Sequence, residues 1–183
     1  AISRTISEEE AVVPKFLPDL PKVRQEIAEY FTSVHRADQV VGVILDEIEN
    51  AGIRENTLVI FMSDHGMALP FAKTNCYYHS TKTPWIVRWP GKVKPGSTNA
   101  THYVSGIDVA PTILAAAGLP NLDGTDGSPI LSLFEGRPDE GRRHAFTMIN
   151  RTAGKNEYPM RAILSERYLY IWNGWACLLY TSP

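Results

Sequence analysis

The sequence predicts an α/β fold with a small antiparallel sheet towards its C-terminal end. Three observations carry that expectation. A long run with apolar residues at helical spacing leads directly into a short apolar strand; a second strand is followed by a short capped helix; and three closely spaced strand-like segments lie between residues 145 and 172.

The first stretch, residues 1–21, is charged at Glu8, Glu9 and Glu10 and punctuated by Pro14, Pro18 and Pro21, and reads as an extended surface connector. From Val23 the apolar positions Ile27, Tyr30, Phe31, Val34, Val41, Ile44, Leu45 and Ile48 follow a helical period, and Gly52 is placed to cap the C-terminal end. His35, Arg36 and Asp38 fall on the wet side of that helix. Leu58, Val59, Ile60, Phe61 and Met62 then form an apolar, partly β-branched run that suits a strand buried on both faces of a parallel sheet.

That strand runs into Ser63-Asp64-His65-Gly66, and the C-terminal edge of an open α/β sheet is where ligands bind. Spacing alone leaves two readings open: a turn with a helix cap, or a metal-binding corner. Residues 68–83 have no clear period and carry Lys73, Asn75, Cys76, Tyr77, Tyr78, His79 and Lys82, which reads as a functional loop. Trp85-Ile86-Val87-Arg88-Trp89 gives the second strand, stopped by Pro90-Gly91. Asp108, Pro111 and Gly118 delimit a short helix in which Asp108 reads as structural. Residues 121–141 read as loop around the apolar group Ile130, Leu131, Leu133 and Phe134. Ala145 to Ile149, Met160 to Leu164 and Tyr168 to Trp172 read as strands whose short connections imply antiparallel pairing, with Arg161 on a solvated face.

Composition limits the function. With 183 residues, 44% of them hydrophobic, the chain can bury a core. Lys plus Arg number 18 against 20 Asp plus Glu, so a net charge of −2 gives no electrostatic basis for binding nucleic acid or an anionic membrane. No apolar stretch approaches the roughly 20 residues that span a bilayer. The two cysteines, Cys76 and Cys177, are too few for a disulfide framework, and Cys76 reads as an inert small side chain.

Val13 to Asp19, Ala37 to Gly42, Asn56 to Gly66, Thr83 to Gly91 with its Trp-Pro-Gly ending, and Ile107 to Thr112, taken in that order, resemble the C-terminal half of a type I sulfatase of the alkaline phosphatase superfamily. Within the family, Phe71 to Asn75 and Tyr158 to Arg161 resemble the sulfamidase branch that includes heparan N-sulfatase. The resemblance implies an alkaline-phosphatase-like sheet flanked by helices, present in part, with residues 1–143 in the α/β domain and 144–176 in the small antiparallel subdomain. Residues 177–183 resemble translated adapter sequence and are expected to be a non-native tail.

It further implies that Asp64 and His65 are metal ligands, that the metal is calcium with zinc as the alternative, and that Lys73, nine positions after Asp64, is a catalytic residue acting on the sulfate. His79 joins Lys73 as a candidate substrate-binding residue from the same loop. Asp64 offers a hard oxygen suited to calcium, whereas imidazole suits zinc better; many sulfatases carry Asn at the second position, and iduronate-type members carry Asp-His. The expected substrate is a sulfated carbohydrate, and the expected setting is an exported one, periplasmic, secreted or lysosomal. The family's formylglycine nucleophile arises from a Cys-x-Pro-x-Arg or Ser-x-Pro-x-Arg motif, and neither motif occurs among these 183 residues. The nucleophile, the first acidic ligand pair and any signal peptide are therefore expected upstream of Ala1. Two other readings compete: a zinc-dependent phosphatase or phosphodiesterase of the same superfamily, and a catalytically dead carbohydrate-binding relative. The chain alone is expected to aggregate through an open sheet edge and uncovered apolar surface; a monodisperse monomer that melts cooperatively would overturn this.

Overall fold

The computed structural model describes residues 3–137, 142–151 and 157–175, in two compact units, Ala1–Thr57 and Leu58–Pro183. The expected non-native tail lies outside the described residues.

The first unit is built on helix α1, Pro21–Asn50. Proline opens it at the position where a missing N–H is harmless. At the other end Gly52 has φ 68°, its N–H donates to Glu49 O at 2.9 Å, and Ile53 N donates to Ile48 O at 3.3 Å. That pair of bonds is a Schellman closure, which needs a residue free to adopt the left-handed region. The segment before α1 does not stand away as a connector but lies back along the helix. Ile6 N donates to Thr32 Oγ1 at 2.9 Å, Ser3 Oγ lies 3.0 Å from His35 Nε2, and Arg24 reaches Asp19 at 2.6 Å and Ala11 O at 3.2 Å. These bonds cover Ala11, Ile27 and Ala28, the buried residues of this unit. They also give His35 a partner, while Arg36 and Asp38 remain exposed.

The second unit contains two small sheets. Strands β1 (Val59–Met62) and β2 (Trp85–Arg88) pair antiparallel, with Val59 opposite Arg88 and Met62 opposite Trp85. The apolar run thus forms a strand as expected, but among the described residues its partner runs antiparallel, and Phe61 on it is exposed. Between the strands the only regular element is a single helical turn, α2 (Tyr78–Thr81), so the chain folds back instead of crossing over.

Helix α3 (Val109–Ala116) follows β2, entered by a 3₁₀ turn at Gly106–Asp108 and closed by Gly118 at φ 70° in a second Schellman arrangement. A further helical turn, α4 (Leu131–Phe134), occupies the apolar group read as loop. Strands β3 (Ala145–Arg151), β4 (Glu157–Leu164) and β5 (Leu169–Asn173) form an antiparallel sheet in the order β3-β4-β5. One face of this sheet supplies a core of Met160 and Ala162 closed by Cys76, with Ile149, Tyr158, Leu169, Ile171 and Trp175 packed around it. On the other face Phe146, Met148, Tyr170 and Trp172 are exposed, as is Arg161, which donates to Ile149 O, Met160 O and Asn150 Oδ1.

Asp108 holds the junction between these parts. Its side chain is fully buried, and Oδ2 accepts from Ser105 N at 2.8 Å while Oδ1 accepts from Ser128 N at 3.0 Å. Arg142 adds a bidentate pair, Nη1 to Oδ2 at 2.5 Å and Nη2 to Oδ1 at 2.7 Å. Two backbone donors and a guanidinium therefore satisfy the carboxylate, confirming a structural role. Nearby, Thr112 Oγ1 donates to Asp108 O at 2.6 Å and accepts from Ile130 N at 3.2 Å, tying α4 to the same point. Removing the guanidinium leaves a buried charge uncompensated, so Arg142→Ala in the full-length protein should lower the free energy of unfolding by about 3–5 kcal/mol in a urea titration. A loss below about 1 kcal/mol would show that the junction does not depend on the pair.

Candidate functional site

The candidate site begins where β1 stops. Ser63 Oγ donates to His65 O at 2.8 Å, closing a tight turn that sets Asp64 and His65 side by side. Asp64 Oδ2 lies 3.4 Å from His65 Nε2, and both side chains reach solvent, the carboxylate 84% exposed and the imidazole 42%. His65 Nδ1 lies 2.8 Å from Gly66 O. A carbonyl oxygen only accepts, so Nδ1 carries the proton there and a neutral ring presents its lone pair at Nε2. Two acceptors then face each other across 3.4 Å. That repulsive arrangement becomes favourable when a cation sits against both, or when a second proton makes the ring an imidazolium. A donor set of one carboxylate oxygen and one imidazole nitrogen, with the far nitrogen fixed on a carbonyl, fits a divalent metal. Among the described residues no group of three or more His, Cys, Asp or Glu converges in this way, so a metal held here would need further ligands besides this pair.

Gly66 locks this corner to the loop beyond it. Its N–H donates to Ser80 O at 3.0 Å, and a Cβ on it would lie 2.0 Å from His79 O and 2.5 Å from Ala72 O. Backbone packs directly on backbone here, which excludes every side chain.

The loop carries Lys73 on a short, shaped arc. Phe71 and Thr74 have φ of 64° and 63°, a conformation unusual for residues with a Cβ and more so for a β-branched one. Ala72 and Cys76 are buried on either side, Cys76 as a free thiol beneath the β4 core. Lys73 itself is exposed, and it lines the same open concavity, of about 2280 Å³, as Asp64, His65 and Lys82. Lys82 Nζ sits 5.2 Å from the Tyr78 ring centroid, within cation–π range. His79 is not among the residues lining the concavity; its ring packs edge-on against Tyr78 at 5.6 Å, and its carbonyl lies beneath Gly66. Asn75, noted in the sequence only as a loop residue, bridges the arc. Asn75 Nδ2 donates to Lys73 O and Oδ1 accepts from Tyr77 N, both at 2.8 Å.

Solved structures first place the fold, which is alkaline-phosphatase-like. An enzyme in complex with its substrate D-glucosamine-2-N,6-O-disulfate superposes with a TM-score of 0.71 at 22% identity, over 84% of this chain and 35% of that one. The phosphonate monoester hydrolase of Agrobacterium radiobacter superposes with a TM-score of 0.67 at 26% identity, over 82% of this chain and 33% of that one. A sulfatase family model matches residues 4–119, more than half of the sequence, and the chain belongs to the sulfatase family. It is 40% identical to human N-sulphoglucosamine sulphohydrolase over 111 residues, 61% of this chain and 22% of that protein. An ulvan-active sulfatase of Formosa agariphila is 28% identical over 161 residues, 88% of this chain and 26% of that protein. The chain thus spans about a quarter of the length of these two relatives.

The contact at Gly66 gives a test that does not depend on chemistry. Gly66→Ala forces His79 and Ala72 apart, and should destabilise the full-length protein by about 1–3 kcal/mol, read as a lowered melting temperature. An unchanged melting temperature would mean that the loop yields freely at this point.

Proposed function

We propose that this chain forms part of a sulfatase that hydrolyses sulfate esters or sulfamates on a carbohydrate, with Asp64 and His65 holding a divalent cation and Lys73 contacting the sulfate. The observation that carries the reading is the 3.4 Å approach of Asp64 Oδ2 to His65 Nε2 while Nδ1 is committed to Gly66 O. The turn at Ser63 sets the two backbone positions side by side, and the bond to Gly66 O orients the imidazole before any ligand arrives. A bound cation would polarise the S–O bonds of the substrate. Lys73 brings a compact positive charge to oxygens whose charge changes in the transition state. His79, the other candidate substrate-binding residue, lies outside the lining of the concavity with its ring against Tyr78, so the reading places no substrate contact on it. The formylglycine nucleophile belongs to sequence outside these 183 residues.

The carbohydrate substrate is supported by two comparisons: the human relative's name specifies an N-sulphoglucosamine, and one structural neighbour holds a disulfated glucosamine as its substrate. The Asp-His pair and the likeness to a phosphonate monoester hydrolase favour a second reading, a zinc-dependent phosphatase or phosphodiesterase of the same superfamily. Elemental analysis of the full-length enzyme separates the two. Calcium together with a formylglycine residue supports the first, and two zinc ions support the second. A nucleophile position changed to an inert residue would instead mark a catalytically dead carbohydrate-binding relative.

In the full-length enzyme, Asp64→Ala and His65→Ala should each lower metal content measured by mass spectrometry and reduce sulfate release at least a hundredfold. Retained metal in both variants would remove the pair from the site. Lys73→Ala should lower kcat/KM by about 10²–10³ with metal content unchanged, the size of effect seen when one preorganised donor to a developing charge is lost. The 183-residue chain alone should release no sulfate from aryl or sugar substrates; metal-dependent turnover by it would overturn the assignment of the nucleophile to another part of the protein.

A further inference from the structure

Lys73 has four flexible carbons between its ammonium and the backbone, so where its charge comes to rest depends on how firmly its backbone root is held. The root sits in an arc that a free chain would not keep, because Phe71 and Thr74 flank it in the left-handed region. Two things hold the arc. Ala72 and Cys76 are buried at its ends, 0% and 1% exposed, with Cys76 closed under Met160 and Ala162 of β4. Across the middle, the Asn75 amide spans from Lys73 O to Tyr77 N, with both bonds at 2.8 Å. The buried ends fix the height of the arc above the C-terminal sheet, and the amide fixes its curvature at the residue that carries the charge. Thr74 and Asn75 line the same concavity as Lys73, Asp64 and His65, so the clamp lies at the edge of the site itself.

From this geometry we infer that Asn75 is a positioning residue: its side-chain amide clamps the 71–77 arc so that the Lys73 ammonium is presented to the substrate anion. The inference rests on the role proposed for Lys73. Asn75 acts through the backbone of Lys73, and coupling of its loss to that of Lys73 is what separates it from a residue that merely stabilises the loop.

The test is a double-mutant cycle in the full-length enzyme with Lys73→Ala, Asn75→Ala and the double variant, read as kcat and KM on a sulfated glucosamine, with a melting curve for each. Expected are a loss in kcat/KM of about tenfold for N75A and of a hundredfold or more for K73A, and a double variant within twofold of K73A. N75A should keep the wild-type metal content. Independent losses that multiply in the double variant, or an N75A enzyme equal to wild type while K73A is impaired, would overturn the clamp and leave the Lys73 assignment standing. A K73A enzyme equal to wild type would overturn the Lys73 assignment, and with it the clamp. Should N75A fail to fold, the same cycle is run with Asn75→Asp, which keeps an acceptor for Tyr77 N and loses the donor to Lys73 O. Coupling to Lys73 again supports the inference, and independence again overturns it.

Discussion

The site depends on one place where backbone touches backbone. Gly66 ends the Asp-His corner, and its missing side chain lets His79 O and Ala72 O approach to distances that a Cβ would occupy. Its N–H, given to Ser80 O, turns that proximity into a bond. Both ends of the 67–80 loop are thereby pinned to the end of β1, and the loop between them cannot drift relative to Asp64 and His65. The same residue gives its carbonyl to His65 Nδ1, fixing which imidazole nitrogen is left to face the carboxylate. One glycine thus sets the position of the loop and the tautomer of the ring.

A second constraint supports this one from below. The Lys73 arc rests through Cys76 on the β4 core, and the segment entering β3 is fastened by Arg142 to Asp108 at the foot of α3. The buried carboxylate is acceptable because each oxygen is met by one backbone donor and one guanidinium nitrogen. Such a pair contributes little net stability relative to a well-packed apolar cluster, but it is unforgiving of change. It defines where residues 105, 128 and 142 must meet, and so where the C-terminal sheet begins. The outer face of that sheet exposes Phe146, Met148, Tyr170 and Trp172, apolar surface of the kind on which the expected aggregation would rest.

What the sequence disclosed follows the range of each interaction. Helix α1 and its glycine closure were legible because period and capping are local, and the three C-terminal strands were legible because their connections are short. The one-turn helices α2 and α4 were not, since four residues carry no period. The direction of β2 against β1 was not legible either, because an apolar run looks alike in parallel and antiparallel sheets and the choice is made by the intervening chain. In the candidate site, Asp64 and His65 stood out as adjacent polar residues after a strand, whereas Lys73 was singled out by resemblance alone. Asn75 looked like any loop asparagine. The Asp108–Arg142 pair joins residues 34 positions apart, and nothing local in the sequence announces that meeting.

Read as metal ligands, Asp64 and His65 also bear on which anion such a site would serve. A carboxylate with an imidazole is a less hard set than a carboxylate with an amide oxygen, which shifts preference from calcium towards zinc. A basic residue opposite the metal matters differently for the two candidate substrates. A sulfate monoester carries one negative charge and a phosphate monoester up to two, so a sulfate site needs fewer positive groups and gains more from placing each one accurately. On the proposed reading Lys73 is an ammonium held on a strained, doubly anchored arc, which favours accurate placement of its charge even with Lys82 in the same concavity. The imidazole and the arc therefore pull towards different members of the superfamily. On the proposed reading Lys73 meets the substrate and His65 only the metal, so the arc bears more directly on sulfate as the substrate, and the imidazole on the identity of the ion.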